Sequence, residues 1–476
     1  MILRRLYDTK LSQASYLVAC GRTGEALVID PNRDCEQYVE AARAENVRIS
    51  YVTETHIHAD FVSGSRELAA HTGARLLLSD AGGDAWRYSY AAGANAGLLV
   101  DGTTFDVGAI RISAMHTPGH TPEHMSFLVT DTAGADRPMG AFTGDFVFVG
   151  DVGRPDLLER AVKVAGTMES SARQLFASIQ RFKALPDYLQ IWPGHGAGSA
   201  CGKSLSAVPQ STLGYERLFN WALAVTDEDE FVRMVLAGQP DPPAYFATMK
   251  SINRTGPRVR GAVQHPVRVP VEQLRDAHAA GAIIVDTRPA PAFAAGHVPG
   301  SINIPLNRSF STWAGWLVPY DRDVYLVADA RRGQGIDDAV RDLAMIGLDR
   351  IVGYVGTNEV ERWAASNVAG HLRQMTVSDL AERMRTGDVA VVDVRSPTEY
   401  STDRLGGATN VPLGQLVERI DSIPRDRLVV VQCQSGGRSS IGASVLAEKG
   451  FENVADLVGG INAWKAAGYP VLASTG

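Results

Sequence analysis

The chain has 476 residues, too many for one compact core, and at roughly 150 residues per domain it predicts about three domains. Hydrophobic residues make up 45% and charged residues 21%, a balance that excludes a disordered or fibrous protein. A formal charge of -7 without any dense Lys/Arg run excludes an electrostatic footprint for nucleic acid or an anionic membrane surface, so small molecules are the expected partners.

The opening, MILRRLYDTKLSQASYLVACG, has basic residues, but polar residues interrupt its apolar stretch and no run reaches transmembrane length. A cytoplasmic protein is expected. The four cysteines, Cys20, Cys35, Cys201 and Cys433, form no C-x-x-C pair, so a disulfide scaffold is not expected. Each thiol is either a small buried apolar group or a nucleophile, and its neighbours decide which. Cys20 in the strand-like SYLVACG and Cys35 at a polar helix start read as structural.

The first half alternates short β-branched runs with helical segments: ALVIDP, VRISYVTET, RLLLS, IRISAMHTPGH, MSFLVT, FTGDFVFVG and YLQIWPGHG. Such strands, ending at turn or ligand-type residues, predict a layered α/β domain with its chemistry on loops. Ser251 to Val267, rich in Gly, Pro and Arg, reads as a linker. Behind it lies an internal repeat. IIVDTRPAPAFAAGHVPGSINIPL, from Ile283, recurs in altered form as AVVDVRSPTEYSTDRLGGATNVPL, from Ala390. Each copy continues with an apolar strand, VYLVAD or LVVVQC, then a loop, a helix and a Trp-bearing end at Trp363 or Trp464. Two small α/β domains are predicted, jointed near residue 370.

Ligand-type residues recur at strand ends. His56, His58 and Asp60 stand in THIHADF, His116 and His120 in HTPGHTPEH, Asp145 in FTGDF and His195 in WPGHG. Imidazole and carboxylate donors suit zinc or non-haem iron. The order resembles the metallo-β-lactamase superfamily, which implies an αββα sandwich over residues 1–250. One departure matters: where the dinuclear hydrolases of that superfamily end their first motif with a histidine, this chain has Phe61, which cannot coordinate. The remaining His56, His120 and Asp145 form a 2-His-1-carboxylate set with open positions, the pattern of non-haem Fe(II) oxygenases.

That set, with FTGDFVFVGDVGRPDL, resembles the persulfide dioxygenase branch, whose human member is linked to ethylmalonic encephalopathy. The resemblance implies one Fe(II) per chain, with zinc as a substitute. It further implies oxidation of a low-molecular-weight thiol persulfide, of glutathione, coenzyme A or a similar thiol, by O2 to sulfite and thiol. His58, Asp60 and His195 then hold ligands or water in place. Arg154 and Lys203 are candidates for gripping the substrate or for ordinary salt bridging, and Cys201 for taking up sulfur or for simple burial.

Cys433 ends LVVVQ and opens Cys433-Gln434-Ser435-Gly436-Gly437-Arg438, which leads into a helix. A cysteine beneath convergent N–H groups and a helix N-terminus favours thiolate, and Arg438 adds positive charge. The pattern resembles rhodanese, a sulfurtransferase, over residues 372–476, although GHIPG of that family appears here as Asp403-Arg404-Leu405-Gly406-Gly407. A dual-specificity phosphatase is the competing reading, but its loop carries one residue more between Cys and Arg. In the first repeat Asp329 stands at the cysteine position, so residues 268–368 read as an inactive rhodanese fold, while GHVPGSINIPL, Asp286 and Arg288 are kept.

The whole chain resembles bacterial persulfide dioxygenase-sulfurtransferases that clear sulfide, with sulfite as a sulfur acceptor and a homo-oligomer as the expected state. A glyoxalase II-like zinc thioester hydrolase and a non-catalytic sulfur carrier are the alternatives.

Overall fold

The computed structural model describes residues 1–160, 166–239, 241–261, 265–330, 335–365 and 368–473. They fall into two compact units, Met1–Val263 with Ala344–Gly347, and Gln264–Leu343 with Leu348–Gly476. Among the described residues no helix is long and apolar enough to cross a membrane.

The first unit holds two six-stranded sheets. One takes Ile2–Asp8, Gln13–Cys20, Glu25–Ile29, Arg48–Thr53, Arg75–Ser79 and Gly97–Leu99 in chain order. The other runs from Thr104–Val107 through Ile110–His116, Met125–Asp131, Gly140–Gly144 and Gln190–Pro193 to Ser211–Thr212. Alternating side chains decide the layering. Val18, Leu27, Ile112, Phe127, Phe142 and Trp192 face inward and form the core between the sheets. Leu17, Val28 and Val52, on the opposite face of the first sheet, pack with Tyr38 of helix Glu36–Ala44 and Leu68 of helix Ser65–Thr72. Leu175, Ile179 and Phe182 of helix Met168–Lys183 cover Ala141 and Ile191 of the second sheet. This is the layered α/β domain that the strand pattern predicts and the αββα sandwich that the resemblance implies. Each Val, Leu, Ile or Phe among these buried side chains contributes about 1.5–3 kcal/mol.

The expected linker begins later than its composition indicates. Helix Tyr245–Thr255 runs into it, because Met249, Lys250 and Asn253 are buried on one of its faces. Apolar periodicity is weak where the two overlap, since the one residue of the helix buried there, Asn253, is polar.

The second unit contains two five-stranded sheets of the same strand order. The first repeat places Val267–Arg268, Ile351–Gly356, Val324–Ala328, Ile283–Asp286 and Ser301–Asn303 side by side, all parallel. The second places Arg373–Met375, Val454–Leu457, Leu428–Gln432, Val389–Asp393 and Thr409–Asn410 likewise. Helices cover such sheets on both faces, hence the unbroken apolar runs IIVD and LVVVQ. In each repeat an arginine two residues beyond strand Ile283–Asp286 or Val389–Asp393 forks back onto the aspartate that ends it: Arg288 on Asp286 at 2.7 Å and Arg395 on Asp393 at 2.8 Å. All four residues are buried, so the pair fixes the strand-to-helix corner. The repeats share one unit because buried polar groups join them. Asn303 N–H donates to Ser444 Oγ at 2.9 Å, and the backbones of His297 and Gly370 exchange two hydrogen bonds.

Candidate metal centre and sulfur-carrying loop

Three donors predicted from strand-end motifs converge. His56, His120 and Asp145 are at most 1% exposed, and their donor atoms lie within 4.8 Å of one another. His56 Nε2 stands 3.8 Å and His120 Nε2 3.6 Å from Asp145 Oδ2. These separations exceed hydrogen-bond length, and Asp145 Oδ2 is buried without a hydrogen-bond partner. An orphaned buried carboxylate oxygen facing two imidazoles fits a metal ion at that point. The other ring nitrogens are held. His56 Nδ1 meets Thr55 Oγ1 at 2.9 Å, and His120 Nδ1 meets the Arg154 carbonyl at 3.0 Å. Each contact leaves Nε2 aimed at the centre, the usual support of an imidazole ligand. Burial, reinforced by neighbouring imidazoles, holds His56 well below its ordinary value; burial, with Lys250, brings His120 down to about 3. Both are therefore neutral donors. Burial pushes Asp145 up.

Asp60, His195 and Cys201 form a second buried trio beside the first. His195 Nε2 lies 3.2 Å from Asp60 Oδ2 and 3.5 Å from Asp145 Oδ1, while its Nδ1 meets the Ser12 carbonyl at 3.0 Å. Burial, with the nearby Asp60 and Asp145 charges, pushes the Cys201 thiol well up. The sequence brought Cys201 near the centre only through its position after His195; the fold gives it two ligand-type neighbours.

His58 is turned otherwise. Its Nε2 meets Asp30 Oδ1 at 3.1 Å, and the fully buried Phe61 ring packs on it at 4.4 Å. Asp30 is a site residue that sequence reasoning missed. Its backbone is left-handed, φ 52°, an uncommon conformation for a non-glycine residue. From there its carboxylate also accepts from Thr55 N–H at 2.6 Å and Thr55 Oγ at 2.9 Å. The aspartate closing ALVIDP was the available signal.

His124 was also missed, though it stands in the same HTPGHTPEH stretch. It stacks on His56 at 5.1 Å, and its Nε2 accepts from Asp145 N–H at 3.2 Å. His116, by contrast, sits half-buried with Nε2 against the Pro122 carbonyl, outside both trios. Asn253 clips the loop between His58 and Ser63. Its amide donates to the His58 and Phe61 carbonyls at 2.8 and 2.7 Å and accepts from Ser63 N–H at 2.9 Å. Asn253→Ala should leave buried groups unpaired, at about 1–3 kcal/mol each, and loosen metal retention. A drop in Tm with faster metal loss to a chelator checks this.

The two expected substrate-gripping residues are placed differently. Arg154 is fully buried, with its guanidinium forked on Asp156 at 2.8 and 2.7 Å and a third donor on the Ala200 carbonyl. Burial and this pairing make it a scaffold for the loop whose carbonyl orients His120. Lys203 points away, its Nζ donating to the Met234 carbonyl at 2.6 Å. Close packing also fixes the ligand loops. Gly144, at φ +48°, precedes Asp145, and a Cβ there would fall 2.4 Å from Thr55 Oγ1.

In the second unit, Cys433 follows strand Leu428–Gln432 and is 1% exposed. Gly436 N–H points at its sulfur at 3.2 Å, and helix Gly437–Glu448 begins there. Gly436 takes φ +99° to make this turn. The positive end of the helix and the directed N–H thus both face the sulfur. Ser439 Oγ lies 3.5 Å from the sulfur and donates to Asp456 at 2.6 Å. Burial pushes Asp456 up to about 6, with Ser439 working against it. Gln434 spans from Arg395 to Asn462, while Ser435 and Gly437 are exposed on the rim.

Arg438 does not lie free above the sulfur. Its guanidinium forks on Glu399 at 2.8 and 2.6 Å. Burial works to raise Glu399, but the Arg438 fork outweighs it and brings the carboxyl from 4.5 down to about 2. That pair therefore stabilises the fold above pH 4.5 and ceases to as pH falls towards 2. The pair is half exposed, so the effect is about 1 kcal/mol. Acid unfolding of Glu399→Gln should lack this component in that window. In the first repeat Asp329 follows strand Val324–Ala328 as the sequence predicts, while the next loop residues, 331–334, lie outside the described residues.

The metallo-beta-lactamase superfamily model matches residues 8–195, and the rhodanese-like domain model matches residues 270–355 and 376–467. The chain belongs to the metallo-beta-lactamase superfamily and adds two rhodanese-like domains. A crystal structure of a metallo-beta-lactamase from Staphylococcus aureus subsp. aureus COL is 44% identical, covering 75% of this chain and 99% of that one, with a TM-score of 0.69. A hydroxyacylglutathione hydrolase of a Polaromonas species is 30% identical over 53% of this chain and 98% of its own length. A sulfurtransferase of Allochromatium vinosum is 35% identical over 22% of this chain and 99% of its own. The superfamily domain and the rhodanese-like domains together make this an enzyme with a metal-binding hydrolase fold and a sulfurtransferase fold.

Proposed function

We propose that the superfamily domain is an Fe(II)-dependent persulfide dioxygenase and that the Cys433 domain transfers sulfane sulfur, together serving sulfide detoxification. The set His56, His120 and Asp145, two imidazoles and one carboxylate with Phe61 in place of a further ligand, carries the reading. The overall reaction is RSSH + O2 + H2O giving RSH, sulfite and two protons. Iron, when held by His56, His120 and Asp145, would supply the redox chemistry between a sulfur anion and dioxygen. The protein's own part is to orient. Thr55 and the Arg154 carbonyl keep the two Nε2 atoms directed, and Asp60 with His195 Nε2 offers a place to hold a proton at 3.2 Å.

At the second site Cys433 Sγ attacks the outer sulfur of a donor, the donor's S–S bond breaks, and its thiolate leaves. Sulfite then takes that sulfur from the Cys433 persulfide, forming thiosulfate and returning the thiolate. Gly436 N–H stabilises the charge on Sγ before and after.

A second reading, a zinc thioester hydrolase, is favoured by the trio Asp60, His195 and Cys201, which could take another ion, and by the similarity to a hydroxyacylglutathione hydrolase. Anaerobically purified protein separates the two. One iron per chain, with oxygen uptake that depends on a thiol persulfide, supports the dioxygenase. Two zinc ions per chain with thioester turnover under nitrogen would replace it.

A further inference from the structure

A cleft of about 550 Å³ opens on the superfamily domain between helix Met168–Lys183 and helix Tyr245–Thr255. Its size is that of a small-molecule site. Lys250 and Arg254 line it together with Trp86, Pro122, Ser170 and Gln174, and no Asp or Glu belongs to its lining. In a chain of net charge -7, a cleft whose charged lining is wholly cationic selects anions.

Lys250 is the unusual member. It is 6% exposed, its Nζ rests 3.9 Å from the Trp86 ring centroid, and no carboxylate lies within ion-pair distance of it among the described residues. Burying an ammonium without a paired charge is expensive, and a cation–π contact returns only part of that cost. Burial lowers Lys250 to about 8, with the Glu123 charge pulling the other way. Glu123, itself raised by burial, spends one oxygen on Ile57 N–H at 2.8 Å. An incoming anion would supply the missing partner.

The cleft adjoins the metal loops on two sides. Pro122 in its wall stands two residues from His120, and Lys250 sits one helical turn before Asn253, which clips the His58–Ser63 loop. On the dioxygenase reading, we infer that this cleft holds the anionic end of the thiol substrate, a carboxylate or phosphate paired to Lys250 and Arg254, beside a Trp86 face that packs its apolar part.

Equilibrium binding to the metal-loaded protein under nitrogen tests this without calling on oxygen chemistry. The probes are glutathione for carboxylate, coenzyme A for phosphate, and 2-mercaptoethanol as an uncharged thiol. At least one anionic thiol should bind more tightly than 2-mercaptoethanol, weaken as salt rises, and lose about ten-fold or more in affinity in both Lys250→Gln and Arg254→Gln. Arg254 is half-exposed, so its variant keeps the test valid if Lys250→Gln folds poorly. Binding of glutathione alone assigns a carboxylate end, and of coenzyme A alone a phosphate end. Equal affinity for charged and uncharged thiols, or affinity indifferent to Arg254→Gln, overturns the proposal. Charge-dependent binding by a protein that takes up no oxygen leaves this site standing and removes the dioxygenase reading instead.

Discussion

On the proposed dioxygenase reading, Asp145→Ala should cost the superfamily domain its metal and its oxygen uptake together. Asp145 Oδ2 faces both His56 and His120 and has no hydrogen-bond partner, so its removal leaves two neutral imidazoles to hold a divalent ion. Loss of a supporting residue around a metal costs 10- to about 100-fold in affinity or activity, and loss of the charged donor itself should exceed that. Metal analysis after gel filtration should fall well below one ion per chain, and oxygen uptake with a thiol persulfide should drop more than about 100-fold. The fold should survive, because the carboxylate is buried at a net cost that burial itself reveals by pushing Asp145 up. A variant that retains a full complement of iron and turns over would show that the three residues are not the ligand set.

Cys433→Ser should abolish sulfur transfer from thiosulfate to cyanide, by at least about 1000-fold. A serine hydroxyl is not ionised near neutral pH and cannot carry a sulfane sulfur, whatever the N–H of Gly436 offers it. Thiocyanate formation measures the loss, and mass spectrometry of the wild-type chain after thiosulfate should place the extra sulfur on Cys433. Persistent transfer in the variant would move the sulfur-carrying role to another thiol. Cys201 would be the first to examine, since it is buried between Asp60 and His195.

Much of the site was legible because ligand chemistry leaves few substitutes. His56, His120 and Asp145 each end a predicted strand, and only imidazoles, carboxylates and thiolates offer donors for such a centre. Cys433 was legible for a similar reason: a thiol between an apolar strand and a Gly-rich helix start has few structural uses. The supporting residues were not. Asn253 lies nearly two hundred residues from the His58 and Phe61 carbonyls it holds, inside a stretch whose Gly, Pro and Arg content reads as linker. In one dimension Arg154 reads as a substrate grip or an ordinary salt bridge, and Arg438 as positive charge for the sulfur site. In three, each is forked on a carboxylate, Asp156 and Glu399 respectively.

The order of strands and helices, the internal repeat and the identity of the donors follow from periodicity and residue chemistry, which are local properties of a chain. That Asp30 holds His58, that Cys201 joins Asp60 and His195, and that Lys250 is buried against Trp86 without a paired charge were settled only by packing. Close packing of two sheets admits one arrangement of loops at their edge, and that arrangement depends on contacts far apart in sequence.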